Sequence, residues 1–154
     1  MKRIRKKIDT ILSWTLIIIM SSMVLNVLWQ VFSRYIVGKP SSFTDELARY
    51  LMIWLGVLGA AYVSGMNKHV AIDLLPKRLT PSSQKRLKHL VGWIILLFSL
   101  FGLVIGGSHL VYVTYVLEQY SPALRLPLAY VYLAIPLSGL LIIYYKAIDL
   151  LATE

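Results

Sequence analysis

Three charged side chains stand within one helical turn, immediately before a long uncharged stretch. They are Asp45, Glu46 and Arg49, and the uncharged stretch runs from Tyr50 to Asn67. On a helix Arg49 follows Asp45 by four residues and Glu46 by three, so we expect the three side chains to share one face. Ionisable groups beside an apolar segment are costly unless paired, and they often serve a partner or a neighbouring helix. The alternative is a solvated helix N-terminus, where the carboxylates interact favourably with the positive end of the helix macrodipole.

A second polar set recurs at every fourth position of the first apolar stretch, at Ser22, Asn26, Gln30 and Arg34. At this spacing the side chains form a polar stripe along one face of a helix. An amide in lipid is costly when it lacks a hydrogen-bond partner, so the stripe must face protein or water. Hydrogen bonding between helices is the favoured interpretation. A path for ions or substrate is the alternative.

The end of the first apolar stretch is expected to meet the start of the second. Arg34 ends the first stretch, and a short connection containing the turn residue Gly38 leads to Asp45 and Glu46. Arg34 and Arg49 should therefore both pair with the two carboxylates. The result would be a small ionic network at the edge of the membrane.

Histidines and carboxylates give no strong metal-binding or catalytic pattern. His69 and Asp73 are four residues apart, but a metal site needs further ligands, and a hydrogen bond at a helix surface is the favoured interpretation. His109 is the only histidine within an apolar stretch, whereas bis-histidine haem ligation needs a second one at similar depth. The absence of cysteine excludes disulfides and thiolate sites. We expect no cofactor, no metal and no catalytic residue.

Composition predicts an all-α integral membrane protein with four transmembrane helices. Of the 154 residues, 58 % are hydrophobic, against roughly 45–50 % in a soluble domain. Four apolar stretches approach or exceed the roughly 20 residues that cross a bilayer. We expect a single domain over residues 1–154, with spans at 10–33, 46–67, 88–118 and 126–150. A short amphipathic segment in the second connection should lie in the membrane interface.

The net charge of +9 is concentrated in two blocks beside the apolar stretches. One block lies in residues 2–7 and the other in the connection at residues 68–88. This arrangement fits the positive-inside rule better than a nucleic-acid groove. We therefore expect both termini in the cytoplasm, membrane lipids as partners and no bound nucleic acid.

Small residues recur at helix-packing spacing in the second and third spans. They form the pairs Gly56 and Ala60, Ala60 and Ser64, Ala61 and Gly65, and Gly102 and Gly106, with Gly107 beside the last pair. This spacing permits close approach of membrane helices. We expect both faces to make contacts between helices.

Residues 29–76 resemble the small membrane subunit of tripartite ATP-independent periplasmic (TRAP) transporters. The similarity is carried, in order, by Trp29-x-Val31-Phe32-x-Arg34-Tyr35, Asp45-Glu46-Leu47-Ala48-Arg49-Tyr50, Trp54, Gly59-Ala60-Ala61 and His69-Val70-x-Ile72-Asp73-x-Leu75. The four-helix layout and the length extend the resemblance to nearly the whole chain. Two mild departures are Phe43, where the family often has tryptophan, and Asp45, where glutamate is more usual.

The resemblance implies one part of a sodium-driven symporter in the bacterial inner membrane. A periplasmic binding protein captures an organic anion, such as sialic acid, a dicarboxylate or a related sugar acid. A large permease carries the anion with sodium ions by an elevator-like motion, and the small subunit anchors and enlarges the static scaffold. The candidate residues for assembly with these partners are Arg34, Asp45, Glu46, Arg49, Trp54, Gly56, Gly59, Ala60, His69 and Asp73.

Two other classes of membrane protein are alternatives to this interpretation. A stand-alone small four-helix exporter of cations needs a carboxylate embedded in the membrane, whereas the first span has none and Glu118 lies at a helix end. A membrane enzyme subunit needs paired catalytic carboxylates, an HExxH motif or a serine with a base. The sequence contains no such arrangement within its apolar stretches.

Overall fold

A computed structural model describes residues 2–38, 41–66 and 81–151. The helices in these ranges are α1 (Lys2–Phe32), α2 (Ser42–Gly65), α3 (Pro81–Phe98), α4 (Gly107–Val116), α5 (Leu128–Tyr132) and α6 (Ala134–Leu151). Two π-helical segments accompany them: Ser33–Val37 continues α1, and Ser99–Gly106 joins α3 to α4. The described residues form no strand beyond an isolated bridge between Tyr120 and Pro127.

Four helical segments are long and apolar enough to cross a membrane, which confirms the expected four-helix layout. They are span 1 (Arg3–Val37), span 2 (Ser42–Gly65), span 3 (His89–Val116) and span 4 (Leu128–Asp149). Span 1 has 35 residues, or about 52 Å at about 1.5 Å per residue. It therefore extends beyond a hydrocarbon core of about 30 Å. The expected amphipathic segment, with His69 and Asp73, lies outside the described residues.

Spans 2 and 4 form the middle of the bundle. Span 2 packs against spans 1 and 4, and span 4 also packs against span 3. Accordingly, 39 % of the apolar window of span 4 is buried, against 17 % in each of the others. An apolar cluster of Leu12, Leu58 and Tyr145 joins spans 1, 2 and 4. Many other apolar side chains face outward, where lipid tails are as apolar as the side chains themselves.

Glycines set the close contact between spans 3 and 4. A Cβ atom built on Gly139 would lie 2.7 Å from the Cβ of Leu103, and one on Gly107 would lie 2.8 Å from Ile135 Cγ2. Gly102 and Gly106, by contrast, are exposed. Of the three glycines expected to form a close-contact face, Gly107 therefore makes the contact within the described chain, because span 3 turns it toward span 4, and the other two do not.

The small residues of span 2 divide between two sides of the helix. Ala61, Ser64 and Gly65 are buried, whereas Gly56 and Ala60 are exposed. A Cβ atom on Gly65 would lie 2.8 Å from the ring of Tyr145, so glycine is needed where spans 2 and 4 meet. The other side of the helix has no such neighbour in the described chain.

Polar contacts tie three spans together at the end of the bundle that carries both termini, here called the terminal end. Arg5 forms an ion pair with Asp149, with 2.8 Å between Nη1 and Oδ1, and its Nη2 donates to the carbonyl oxygen of Gly65. The hydroxyl of Tyr145 donates to Asp9 at 2.5 Å, and its ring centroid lies 5.7 Å from Arg5 Cζ. The start of span 1 is thus joined to the ends of spans 2 and 4.

Candidate functional site

The opposite end of the bundle, here called the loop end, contains the start of span 2 and the loop at residues 117–127. Glu46 is buried there, with 8 % of its surface exposed. Its Oε2 atom accepts hydrogen bonds from Ser121 Oγ at 2.8 Å, the Ala123 N–H at 2.9 Å and the Leu124 N–H at 2.8 Å. Successive backbone N–H groups form a nest for an anion, and bonds to a carboxylate are the stronger, charge-assisted kind. Glu46 therefore fastens the loop to span 2.

Backbone hydrogen bonds also hold the loop at residues 117–127 in a compact shape. The Ser121 N–H donates to the carbonyl of Leu126, and the Arg125 N–H donates to the carbonyl of Ser121, each at 2.9 Å. Glu118 and Arg125 have φ values of 46° and 53°, which are uncommon for residues other than glycine. Such conformations persist where the surrounding structure holds them, and the bonds to Glu46 contribute to that restraint.

Two amides of the polar stripe link span 1 to the start of span 2. The buried side chain of Asn26 donates to the Thr44 carbonyl at 2.7 Å, and Gln30 donates to the carboxylate of Asp45. At these two positions the stripe makes hydrogen bonds between helices. Ser22 is exposed and lies outside this contact.

The ionic network predicted at the loop end does not form among the described residues, so this prediction was wrong. Glu46 turns into the bundle, whereas Asp45 and Arg49 are exposed, so the three side chains do not share one face. Neighbouring residues of a helix point about 100° apart, and this rotation gives Glu46 to the loop and Asp45 to Gln30. Arg34 is exposed as well, and in the described ranges neither arginine is ion-paired with these carboxylates.

One side of α2 has no neighbour within the described part of the chain. From Arg49 onward its exposed residues, here called the open face of α2, are Arg49, Met52, Gly56, Ala60 and Val63. A Cβ atom on Gly56 or on the half-buried Gly59 would have no described atom within 4 Å. A second helix can approach such a small-residue surface closely. Trp54 points elsewhere and packs against the apolar cluster that contains Leu12.

Sequence reasoning missed the loop donors that hold Glu46. Ser121 and Pro122 signal a turn, but the donors at Ala123 and Leu124 are backbone groups, which no residue type reveals. The contacts at the terminal end have a clearer signal in the sequence. Arg5 and Asp9 are four residues apart, as are Tyr145 and Asp149, and each pair stands at one end of an apolar stretch.

Removing the Glu46 carboxylate should loosen the loop while the spans stay packed. In Glu46→Ala the N–H groups of Ala123 and Leu124 lose their acceptor, so we expect amide exchange in residues 117–127 to become about tenfold faster. Hydrogen–deuterium exchange followed on peptides from this loop measures the effect. Asp45→Ala is the matched control, because Asp45 bonds span 1 rather than the loop. Unchanged exchange in Glu46→Ala, or an equal increase in the control, contradicts this role.

Comparisons with known proteins point to one family of transporters. The family described as "Tripartite ATP-independent periplasmic transporters, DctQ component" matches residues 23–153. A TRAP transporter small permease protein of Haemophilus influenzae is 32 % identical over 124 residues, which is 80 % of this chain and 75 % of that protein.

Two further relatives are named for different substrates. The C4-dicarboxylate TRAP transporter small permease protein of Rhodobacter capsulatus is 35 % identical over 104 residues, covering 66 % of this chain and 44 % of that protein. The sialic acid TRAP transporter small permease protein of Vibrio cholerae is 28 % identical over 79 residues, covering 51 % and 46 %. The family match spans most of the chain, and the chain therefore belongs to the small permease subunits of TRAP transporters, which are transport components.

Proposed function

We propose that this chain is the static scaffold subunit of a sodium-driven TRAP transporter in the bacterial inner membrane. It anchors a large elevator-type permease that receives an organic anion from a periplasmic binding protein. The observation that supports a scaffold role best is the open face of α2, which carries Gly56 and Ala60 on a helix that otherwise packs against spans 1 and 4. The substrate class that we propose, a dicarboxylate, a sialic acid or a related sugar acid, follows the names of two relatives.

A static role is supported by an ion pair and hydrogen bonds that join the spans at both ends of the bundle. At the terminal end, Arg5 joins spans 1, 2 and 4. At the loop end, Glu46 joins span 2 to the loop between spans 3 and 4. Sliding one span past another would break bonds at one end or the other, so these contacts oppose relative motion of the spans.

The positions of the carboxylates support the proposal that the permease, and not this subunit, binds sodium. The acidic residues of the chain are Asp9, Asp45, Glu46, Asp73, Glu118, Asp149 and Glu154. Those within the four spans lie near span ends, and the most buried of them, Glu46, already accepts three hydrogen bonds. Sodium prefers oxygen ligands, so we assign its coordination to the permease.

The first test is transport by reconstituted components. The subunit alone in liposomes should show no sodium-dependent uptake of an organic acid, whereas uptake should appear when its large permease and binding protein are added. Liposomes with the permease and binding protein but without this subunit are the control, and they should transport less. Uptake by this subunit alone would refute the scaffold proposal.

We further propose that residues 1–154 form a single membrane domain with the terminal end in the cytoplasm. The motivation is the excess of Lys and Arg in residues 2–7 and 68–88, because such excess marks the cytoplasmic side. The chain has no cysteine, so single cysteines can be introduced cleanly. In intact cells an impermeant thiol reagent should label Ser41→Cys and leave Ser83→Cys unlabelled. The reverse pattern would overturn this orientation.

The open face of α2 is the surface that we assign to the permease. Within it Gly56, Ala60 and the neighbouring Gly59 would allow close helix packing. Arg34, Asp45 and Arg49 are exposed at the loop end, where we propose that they contact the permease or the docked binding protein. Trp54, His69 and Asp73 stay in the proposed assembly set on the strength of the sequence resemblance.

A matched pair of substitutions separates assembly from folding. Gly56→Leu fills open space, so it should leave the thermal stability of the isolated subunit unchanged but reduce the permease recovered with it severalfold. Gly139→Ala places a methyl group 2.7 Å from the Cβ of Leu103 and should destabilise the subunit itself by about 1–3 kcal/mol. Thermal unfolding in detergent and affinity co-purification measure the two effects. Normal permease recovery with Gly56→Leu would remove the open face of α2 from the interface.

A further inference from the structure

The start of α1 separates its basic residues into two kinds. Arg5 turns inward, where it is ion-paired with Asp149 and donates to Gly65. Arg3, Lys6 and Lys7 are exposed, and in the described ranges no acidic side chain is ion-paired with any of them. The fold therefore pairs Arg5 with a carboxylate and leaves the charges of Arg3, Lys6 and Lys7 on the surface of the bundle.

Two of the exposed cations, Arg3 and Lys7, lie on the side of α1 opposite to its packed side, and Lys6 lies at the edge of that side. Arg3, Lys7 and Trp14 follow one another at spacings of four and seven residues, so they share one face. Trp14 is 61 % exposed. The packed side carries Asp9, bonded to span 4, and the buried Leu12. Cations and an interfacial aromatic ring thus form one continuous outward surface.

The axial distances on this surface match the layers of a bilayer. Lys7 and Trp14 are seven residues apart, or about 10 Å along the helix. Interfacial tryptophans mark the boundary between membrane and water, so Lys7 stands on the water side of Trp14, at the outer part of the headgroup layer. Below Trp14 the same side continues with Ile17 and Ile18, 52 % and 61 % exposed. A phospholipid has the same order of parts, with an anionic phosphate above apolar chains.

We propose that this face of α1, formed by Arg3, Lys6, Lys7 and Trp14, binds an anionic phospholipid such as phosphatidylglycerol. The phosphate lies among the guanidinium of Arg3 and the two ammonium groups, which donate charge-assisted hydrogen bonds. The acyl chains run along the isoleucines beneath Trp14. Because α1 is helical from Lys2 onward, the cations are held at a fixed height, whereas a flexible basic tail would attract anionic lipid only diffusely.

Fluorescence quenching by brominated lipid tests this proposal with the full chain. In a variant that keeps Trp14 alone (Trp29→Phe, Trp54→Phe and Trp93→Phe), the chain is placed in phosphatidylcholine bilayers that contain either brominated phosphatidylglycerol or brominated phosphatidylcholine. We expect phosphatidylglycerol to be preferred at Trp14 by more than about fivefold at low ionic strength, because about fivefold is the contribution of a single surface cation. High salt should reduce the preference, because the cations are exposed.

Two controls decide the source of the preference. Arg3→Gln, Lys6→Gln and Lys7→Gln together should abolish it, and since these side chains are exposed, the bundle should be unaffected. A variant that keeps only Trp29, near the other end of the same helix, where Arg34 is the nearest exposed cation in span 1, should show a severalfold smaller preference. Equal quenching by both lipids at Trp14, an equal preference at Trp29, or a preference that survives the three substitutions would each overturn the proposal. The salt dependence of the unsubstituted basic face tests it even if the neutral variant fails to fold.

Discussion

The hydrocarbon core of a bilayer offers no water to an unsatisfied polar group, and this constraint organises the whole bundle. Polar side chains within spans must find partners in the protein. The strong polar contacts of the chain accordingly gather at its two ends. Arg5, Asp9, Tyr145 and Asp149 meet at the terminal end, while Asn26 and Glu46 find their partners at the loop end. Between these ends, small residues and apolar packing join the spans.

The contact of Glu46 with the loop has consequences beyond local stability. By accepting loop N–H groups, the carboxylate leaves Arg34 and Arg49 without an acidic partner in the described chain. Two guanidinium groups are therefore presented at the loop end, beside the open face of α2. The same division occurs at the terminal end, where Arg5 is neutralised and its basic neighbours are presented. Each end thus combines polar contacts between segments of the chain with a charged surface that faces outward.

In the scaffold role that we propose, the subunit needs both properties. Its spans must keep their relative positions while a partner moves, and its outer surfaces must hold that partner and the surrounding lipid. The contacts of Gly65, Gly107 and Gly139 fix the distances between spans because no side chain intervenes. The glycine at position 56 has no such neighbour, and the role that we propose for it is contact with another helix. The same residue type thus serves the inside of the bundle in one place and its outside in another.

The sequence by itself determined the number of spans, their approximate positions and the family, because apolar length and ordered motifs are properties of the chain. It also identified Asn26 and Gln30 as groups that need partners, since an amide in a membrane helix must be satisfied. It did not determine those partners, nor which small residues face inward, because four-residue spacing defines a face without defining its neighbour. Only the tertiary structure decided that Glu46 bonds backbone donors of a loop more than seventy residues away. Backbone N–H groups are alike in every residue except proline, so only the folded arrangement shows which of them meet a given carboxylate.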